Sequence, residues 1–184
     1  MPTTVLAEGA SDRIALEALA GRLGHDLARS EVRIVELGGA TNVGRFLERH
    51  RLTHPGDRVA GLFDAPEERF FRRGLERAGL GPVPDRRRLE QLGFFACVED
   101  LEDELLRSLG VTTFEAVIEA QGELPSLRIL QRQPFQRTRT PQQQLRRFVS
   151  TRSGRKSVYA EALVDALDLD RAPRPLTDLL EWVR

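Results

Sequence analysis

The stretch TVLAEGASDRIAL, running from Thr4 to Leu16, decides the reading of this chain. Val5, Leu6 and Ala7 form a short apolar strand, and Ile14, Leu16, Leu19, Ala20 and Leu23 then recur at helical spacing. Ser11 or Asp12 caps that helix and Gly24 ends it. A strand that passes directly into a helix carries Glu8 and Asp12 to the turn between them. The same arrangement recurs twice. RVAGLFD ends a second apolar run on Asp64, and FFACVEDLEDE places Glu99, Asp100, Glu102 and Asp103 after another. The carboxyl ends of neighbouring parallel strands meet at one edge of a sheet, so these acids are expected to meet in space. Converging carboxylates repel unless a cation lies between them, which makes this edge a candidate magnesium site.

Working outward, residues 32–37 read as a strand, followed by a glycine loop at Gly38 and Gly39 and a helix to about residue 51. Residues 54–57 form a turn, 58–63 a third strand, 67–78 a helix, 79–84 a break and 94–98 a fourth strand. Strand and helix in alternation indicate an α/β fold with a parallel four-stranded sheet flanked by helices. Beyond residue 104 only helical patterns remain, over 105–110, 112–121, 124–131, 141–149, 158–167 and 176–183. The expected organisation is an α/β domain over 1–110 and a helical extension over 111–184 that folds back onto the sheet.

Composition removes several function classes. The single cysteine, Cys97, excludes an internal disulfide and a thiolate zinc cluster, and its apolar setting makes it a small core residue. No apolar run approaches the roughly eighteen residues of a membrane helix, and no signal-peptide pattern opens the chain, so a soluble cytoplasmic protein with no membrane partner is expected. His25, His50 and His54 lack metal-ligand spacing and read as solvated loop residues. Ser11 and Ser153 have no histidine and acid partners for nucleophilic catalysis, and Tyr159 reads as a packing or stacking residue.

The formal net charge is zero, yet residues 128–156 hold nine basic and no acidic side chains. Within this island Arg132, Arg137, Arg139, Arg146, Arg147, Arg152 and Arg155 alternate with glutamine, threonine and serine. Forked guanidinium donors among amides and hydroxyls suit contact with a nucleic-acid backbone. Lys156 is the only lysine among 28 basic residues, and it stands beside Gly154 ahead of a helical run, where a helix start can seat a phosphate.

Taken together, Glu8-Gly-Ala-Ser-Asp12, Asp64 at the end of the third strand, Asp100-Leu-Glu-Asp103 after the next and Gly154-Arg-Lys156 resemble the Toprim domain of the overcoming-lysogenization-defect (OLD) family of nucleases. The resemblance covers residues 1 to about 105 and, beyond them, the lysine. It implies a metal-dependent DNA endonuclease using two Mg²⁺ or Mn²⁺ ions. Glu8, Asp12, Asp64, Asp100 and Glu102 would be ligands, with Glu8 alternatively a general acid or base, and Lys156 a contact to the transition-state phosphate. Asp12 and Asp100 also suit helix capping.

Two departures stand out. Toprim domains commonly carry a second aspartate two residues after the first at strand three, where this chain has Pro66. Glu67 or Glu68, in the first helical turn after that proline, is the candidate replacement. OLD proteins also typically carry an ABC-type ATPase, yet no P-loop motif occurs in this sequence, so ATP hydrolysis would come from a separate subunit. Two other functions fit the same residues. A non-catalytic nucleic-acid-binding or recombination-mediator module would explain Pro66. A receiver-like phosphoacceptor would use Asp64, but it needs a lysine after a fifth strand, and no such strand is visible.

Overall fold

A computed structural model describes residues 1–151 and 154–184; Arg152 and Ser153 lie outside the described residues. The α/β part runs β1 (Thr3–Ala7), α1 (Ala10–Arg22), β2 (Val32–Glu36), α2 (Val43–Thr53), β3 (Arg58–Asp64), α3 (Glu68–Arg77), α4 (Arg86–Gln91) and β4 (Phe94–Cys97). The helical part follows as α5 (Leu101–Ala120), α6 (Leu124–Arg132), α7 (Pro141–Ser150), α8 (Arg155–Asp165) and α9 (Arg174–Trp182). The two patterns expected over 105–110 and 112–121 form one element, α5, broken at Gly110, whose φ of 76° and ψ of 163° are not helical. Helix α4 carries no apolar periodicity in its three consecutive arginines, but Asp85 caps it by accepting the N–H of Arg88 at 2.9 Å.

All strand pairs are parallel, in the order β2-β1-β3-β4. Every residue of β1 is buried, as befits an inner strand of a parallel sheet covered on both faces. On one face Val5, Ala60, Leu62 and Cys97 pack with α1 and with Phe114, Phe148, Tyr159, Leu163 and Leu179 of the later helices. On the other, Leu6, Phe63 and Phe94 pack with Leu47, Phe71, Leu75 and Leu89 from α2, α3 and α4. The helical extension therefore shares a core with the sheet. Helix α8 lies along α1, where the Arg22 guanidinium donates to the carbonyls of Val164 and Leu167 at 2.6 and 2.8 Å. Helix α9 closes against β3 and β4: the Arg58 guanidinium lies 3.9 Å from the Trp182 ring centroid and donates to the Trp182 carbonyl at 2.9 Å.

The register sets up the edge. Leu6 pairs with Gly61 and Asp64 with Cys97, so Glu8 leaves β1 beside the last residues of β3, and Asp64 stands between β1 and β4. No fifth strand occurs among the described residues, and Lys156 sits in the first turn of α8, which does not match the receiver arrangement.

Helices α2 and α3 approach through two glycines. A methyl group on Gly74 would meet the Gly44 Cα at 3.1 Å, its N at 3.2 Å and Val43 Cγ1 at 3.3 Å, whereas one on Gly44 would meet only the Gly74 Cα, at 3.6 Å. Backbone cannot yield as a flexible side chain can. Gly74→Ala is expected to destabilise the protein by about 1–3 kcal/mol through overpacking. Gly44→Ala is expected to stay within about 1 kcal/mol of the parent, as a helix position with ordinary contact. Urea melts of the two variants check the asymmetry, and equal losses would contradict it.

Candidate metal centre

Three strand-to-helix turns build the site. Glu8 follows β1, and Asp12, in the first turn of α1, reaches back so that its Oδ2 accepts the Gly9 N–H at 2.9 Å. Asp64 ends β3, and a single 3₁₀ turn, Ala65–Glu67, follows with Pro66 inside it. That turn brings Glu67 close enough to Glu8 for its carboxyl to raise the Glu8 pKa. Glu68 faces elsewhere, accepting from Arg86 at 2.8 Å and lying 3.9 Å from Arg72. Of the two candidates for the missing strand-three acid, Glu67 is the one at the edge.

After β4, Asp100 caps α5: its Oδ1 accepts the Asp103 N–H at 2.8 Å. Its Oδ2 accepts from the Arg146 guanidinium of α7 at 2.6 Å, and Arg146 lies 3.6 Å from Asp103. Glu102 is buried and accepts from Lys156 Nζ at 2.9 Å. Glu99 is exposed, and Glu104 turns inward to accept the Val98 N–H at 2.7 Å. Both Asp12 and Asp100 therefore fill the local capping role that their positions suggested, while remaining at the edge.

The inner carboxylates feel one another. Burial, then the hydrogen bond and charge of Glu67, then Asp64 and Asp12, push Glu8 up to about 8. Burial, with Asp12, Asp100, Glu102 and Glu67 adding repulsion, raises Asp64 to about 7. Burial raises Asp12 to about 6, with Glu102 adding to the rise and the Gly9 N–H and Lys156 opposing it. Burial alone would lower Lys156, but Glu102, Asp100 and Asp12 outweigh it and raise its pKa. The geometry thus brings Glu8, Asp12, Asp64, Asp100, Glu102 and Lys156 into one electrostatic cluster, with Glu67 as a member that only the proline turn signalled.

Oxygen donors suit a hard divalent cation such as Mg²⁺ or Mn²⁺. Glu8 Oε2 and Glu67 Oε2 are buried without a hydrogen-bond partner, the condition a cation would relieve. As the side chains stand, no group of three or more His, Cys, Asp or Glu residues among those described is already arranged to hold a metal. The carboxylates are gathered at one edge but held apart.

The basic residues divide. Arg139, Arg146 and Arg147 line an open cavity of about 350 Å³ together with Asp100, Gln143 and Ser150, directly beside the acidic edge. Arg132 and Arg137 are exposed on the neighbouring turn, where the Arg137 Nε donates to the Arg132 carbonyl at 3.2 Å. Arg155, expected among the phosphate contacts, is 7% exposed. Its guanidinium donates to Glu123 and Thr151 at 2.8 Å and to the Phe148 carbonyl at 2.9 Å, and it stacks on the Phe148 ring. Its donors are spent inside the fold. The Tyr159 hydroxyl donates to the same Glu123 at 2.8 Å, and its buried ring packs edge-on against Phe148. Cys97 is fully buried.

A pH dependence follows. Glu8, Asp12 and Asp64 keep protons in the folded chain at pH values where the ordinary carboxylates of the unfolded chain have lost them. Between about pH 4 and 8 the folded state binds more protons, so these groups reduce stability as pH rises through that window. Thermal melts in EDTA should show Tm falling from pH 5 to about 8, and excess Mg²⁺ at the upper end should restore it by binding the folded state. Glu67→Gln should flatten the fall. A melting temperature that rises across this range, or ignores Mg²⁺, contradicts the assignment.

The family model of the "Overcoming lysogenization defect protein-like, TOPRIM domain" matches residues 2–55. Comparison with curated protein sequences returns no match. The chain is similar to the C-terminal region of the Xanthomonas campestris pv. campestris OLD protein, with a TM-score of 0.74 and 22% identity over 98% of this chain and 91% of that one. It is also similar to the C-terminal region of the Burkholderia pseudomallei OLD protein, with a TM-score of 0.65 and 21% identity over 99% and 96% of the two chains. The opening strand-helix-strand-helix segment thus matches the OLD-like Toprim model, and the chain as a whole has the Toprim-type fold of the C-terminal regions of OLD proteins.

Proposed function

We propose that this Toprim module is a metal-dependent DNA endonuclease. The observation that carries the reading is the cluster of Glu8, Asp12, Asp64 and Glu67, in which burial and neighbouring carboxylates raise the pKa of the first three, flanked by Lys156 and the arginines of α7. Glu8, Asp12, Asp64 and Glu67 would hold the ions, with Asp100 and Glu102 as outer ligands. One or two bound Mg²⁺ or Mn²⁺ ions would supply an activated water and stabilise charge on the attacking and leaving oxygens.

The chain's own residues do the rest. As the alternative to ligation, Glu8 is placed at the edge to act as general acid or base towards the attacking water. Lys156 is charged, half-buried and held by Glu102, from which its ammonium can turn to a phosphate oxygen. Arg132, Arg137, Arg139, Arg146 and Arg147 hold the backbone on either side. Arg146 links the two functions, because the side chain that contacts Asp100 also lines the open cavity beside it. A non-catalytic DNA-binding module is the second reading, favoured by Asp100, whose two oxygens are already engaged by Asp103 N–H and Arg146.

Nicking of supercoiled plasmid with Mn²⁺ tests the proposal. Asp64→Asn and Lys156→Gln are each expected to lower the rate by about 10²–10³-fold, and EDTA to abolish it. Arg147→Ala is expected to weaken DNA binding uniformly and to reduce the slope of log affinity against log salt by about one. Salt-sensitive binding with no cleavage would favour the second reading.

A further inference from the structure

Phe46 and His50 on α2 and His54, the residue that follows the helix, stand at four-residue intervals, and their rings form a column. The centroids of Phe46 and His50 are 5.5 Å apart, those of His50 and His54 are 4.9 Å apart, and both pairs are inclined by 13°. The column faces β2, the strand at the opposite edge of the sheet from β4 and its Asp100 turn. Between them lies a cavity of about 310 Å³ walled by Arg33, Phe46, Arg49, His50, Thr53 and His54, with Val35 beside Phe46.

This cavity has the marks of a built site. His50, expected as a solvated loop residue, is 5% exposed, and its Nε2 has no hydrogen-bond partner. A buried nitrogen left unpaired carries a desolvation cost, and a leucine or phenylalanine would fill the same helix position without it. Burial, with His54 and Arg33 beside it, lowers the pKa of His50 against the opposing pull of Asp57, so the ring is neutral and offers one donor and one acceptor. Thr53 Oγ1 lies 2.7 Å from His54 Nδ1 and fixes that ring. Arg33 is held by Thr4 Oγ1 at 2.7 Å and Asp57 at 3.3 Å, whereas Arg49 is exposed and forms no ion pair among the described residues. No acidic side chain lines the cavity.

Flat rings, a neutral polar nitrogen and two guanidinium groups, with no acid, are complementary to a planar heterocycle that carries an anion. We propose that this cavity is a second binding site that takes a nucleobase with its adjoining phosphate, the base stacking on His54, the exposed ring at the end of the column, and the phosphate meeting Arg33 and Arg49. Stacking of a base on an aromatic ring tolerates any base, and arginine recognises phosphate through paired donors. The cavity is at the lower end of the size range for small-ligand sites, which suits a single nucleotide. A free mononucleotide and the end of a nucleic-acid strand present the same chemistry here.

The probe is 2-aminopurine deoxyriboside 5′-monophosphate, titrated into the whole chain in EDTA so that the acidic edge cannot recruit phosphate through a metal. Saturable quenching, competed by dAMP but not by deoxyribose 5-phosphate, is expected. Arg49→Ala should weaken binding about tenfold, His54→Ala should remove the quenching, and Arg128→Ala, on α6 and outside the cavity, should change neither. A 5′-phosphorylated single strand with terminal 2-aminopurine separates the sources: an affinity gain over the mononucleotide that Arg49→Ala and His54→Ala remove assigns the site to strand ends, and no such gain assigns it to free nucleotide. Absence of saturable quenching at millimolar probe, or affinities that Arg49→Ala and His54→Ala leave unchanged, would overturn the proposal.

Discussion

Parallel strands aim their carboxyl ends at one edge, and in this chain that edge gathers more negative charge than the protein alone neutralises. Repulsion among Glu8, Asp12, Asp64 and Glu67 governs what surrounds them. The outer acids are settled by cations from the helical extension, Asp100 by Arg146 and Glu102 by Lys156. The inner acids are left to one another, and Glu8 and Asp64 hold protons near neutrality. A fold selected for stability alone would place apolar or mixed-charge residues there. The retained repulsion is the kind of local conflict that marks a functional site.

The helical extension belongs to the site because it belongs to the core. Helix α8 lies along α1, and this packing fixes the height at which Lys156 meets Glu102 and faces Asp12. Arg22 ties the carboxyl end of α8 to α1 by donating to two of its carbonyls, while Arg155, Tyr159 and Glu123 tie its amino end to the helices beyond. Helix α7 carries Arg146 over the Asp100 turn on the same framework. Chemistry-bearing residues separated by more than ninety positions in the chain are thus held by apolar packing that has no chemical role.

The elements that sequence patterning made legible were those with strong periodicity or clear punctuation. The four strands, α1, α2, α3 and the later helices follow apolar runs broken by glycine and proline, and the acids at strand ends follow from parallel topology. Other features depended on distance in space. Arg155 belongs to the same basic run as Arg146 and Arg147, and nothing local distinguishes it; only the position of Glu123 and Phe148 turns it inward. The choice between Glu67 and Glu68 rests on one residue of helical phase after Pro66, finer than pattern reading can resolve. Likewise His50 joins a ring column only because α2 extends through Thr53 and packs beside β2.

The central claim is that the crowded edge is a cation site. Anomalous diffraction from a crystal equilibrated with Mn²⁺ near pH 8 tests it most directly. The account requires a manganese peak among the carboxylates of Glu8, Asp64 and Glu67, with Asp12 within ligand or water-mediated reach. Saturating Mn²⁺ that leaves this edge without a peak, or occupies only sites elsewhere, would contradict it.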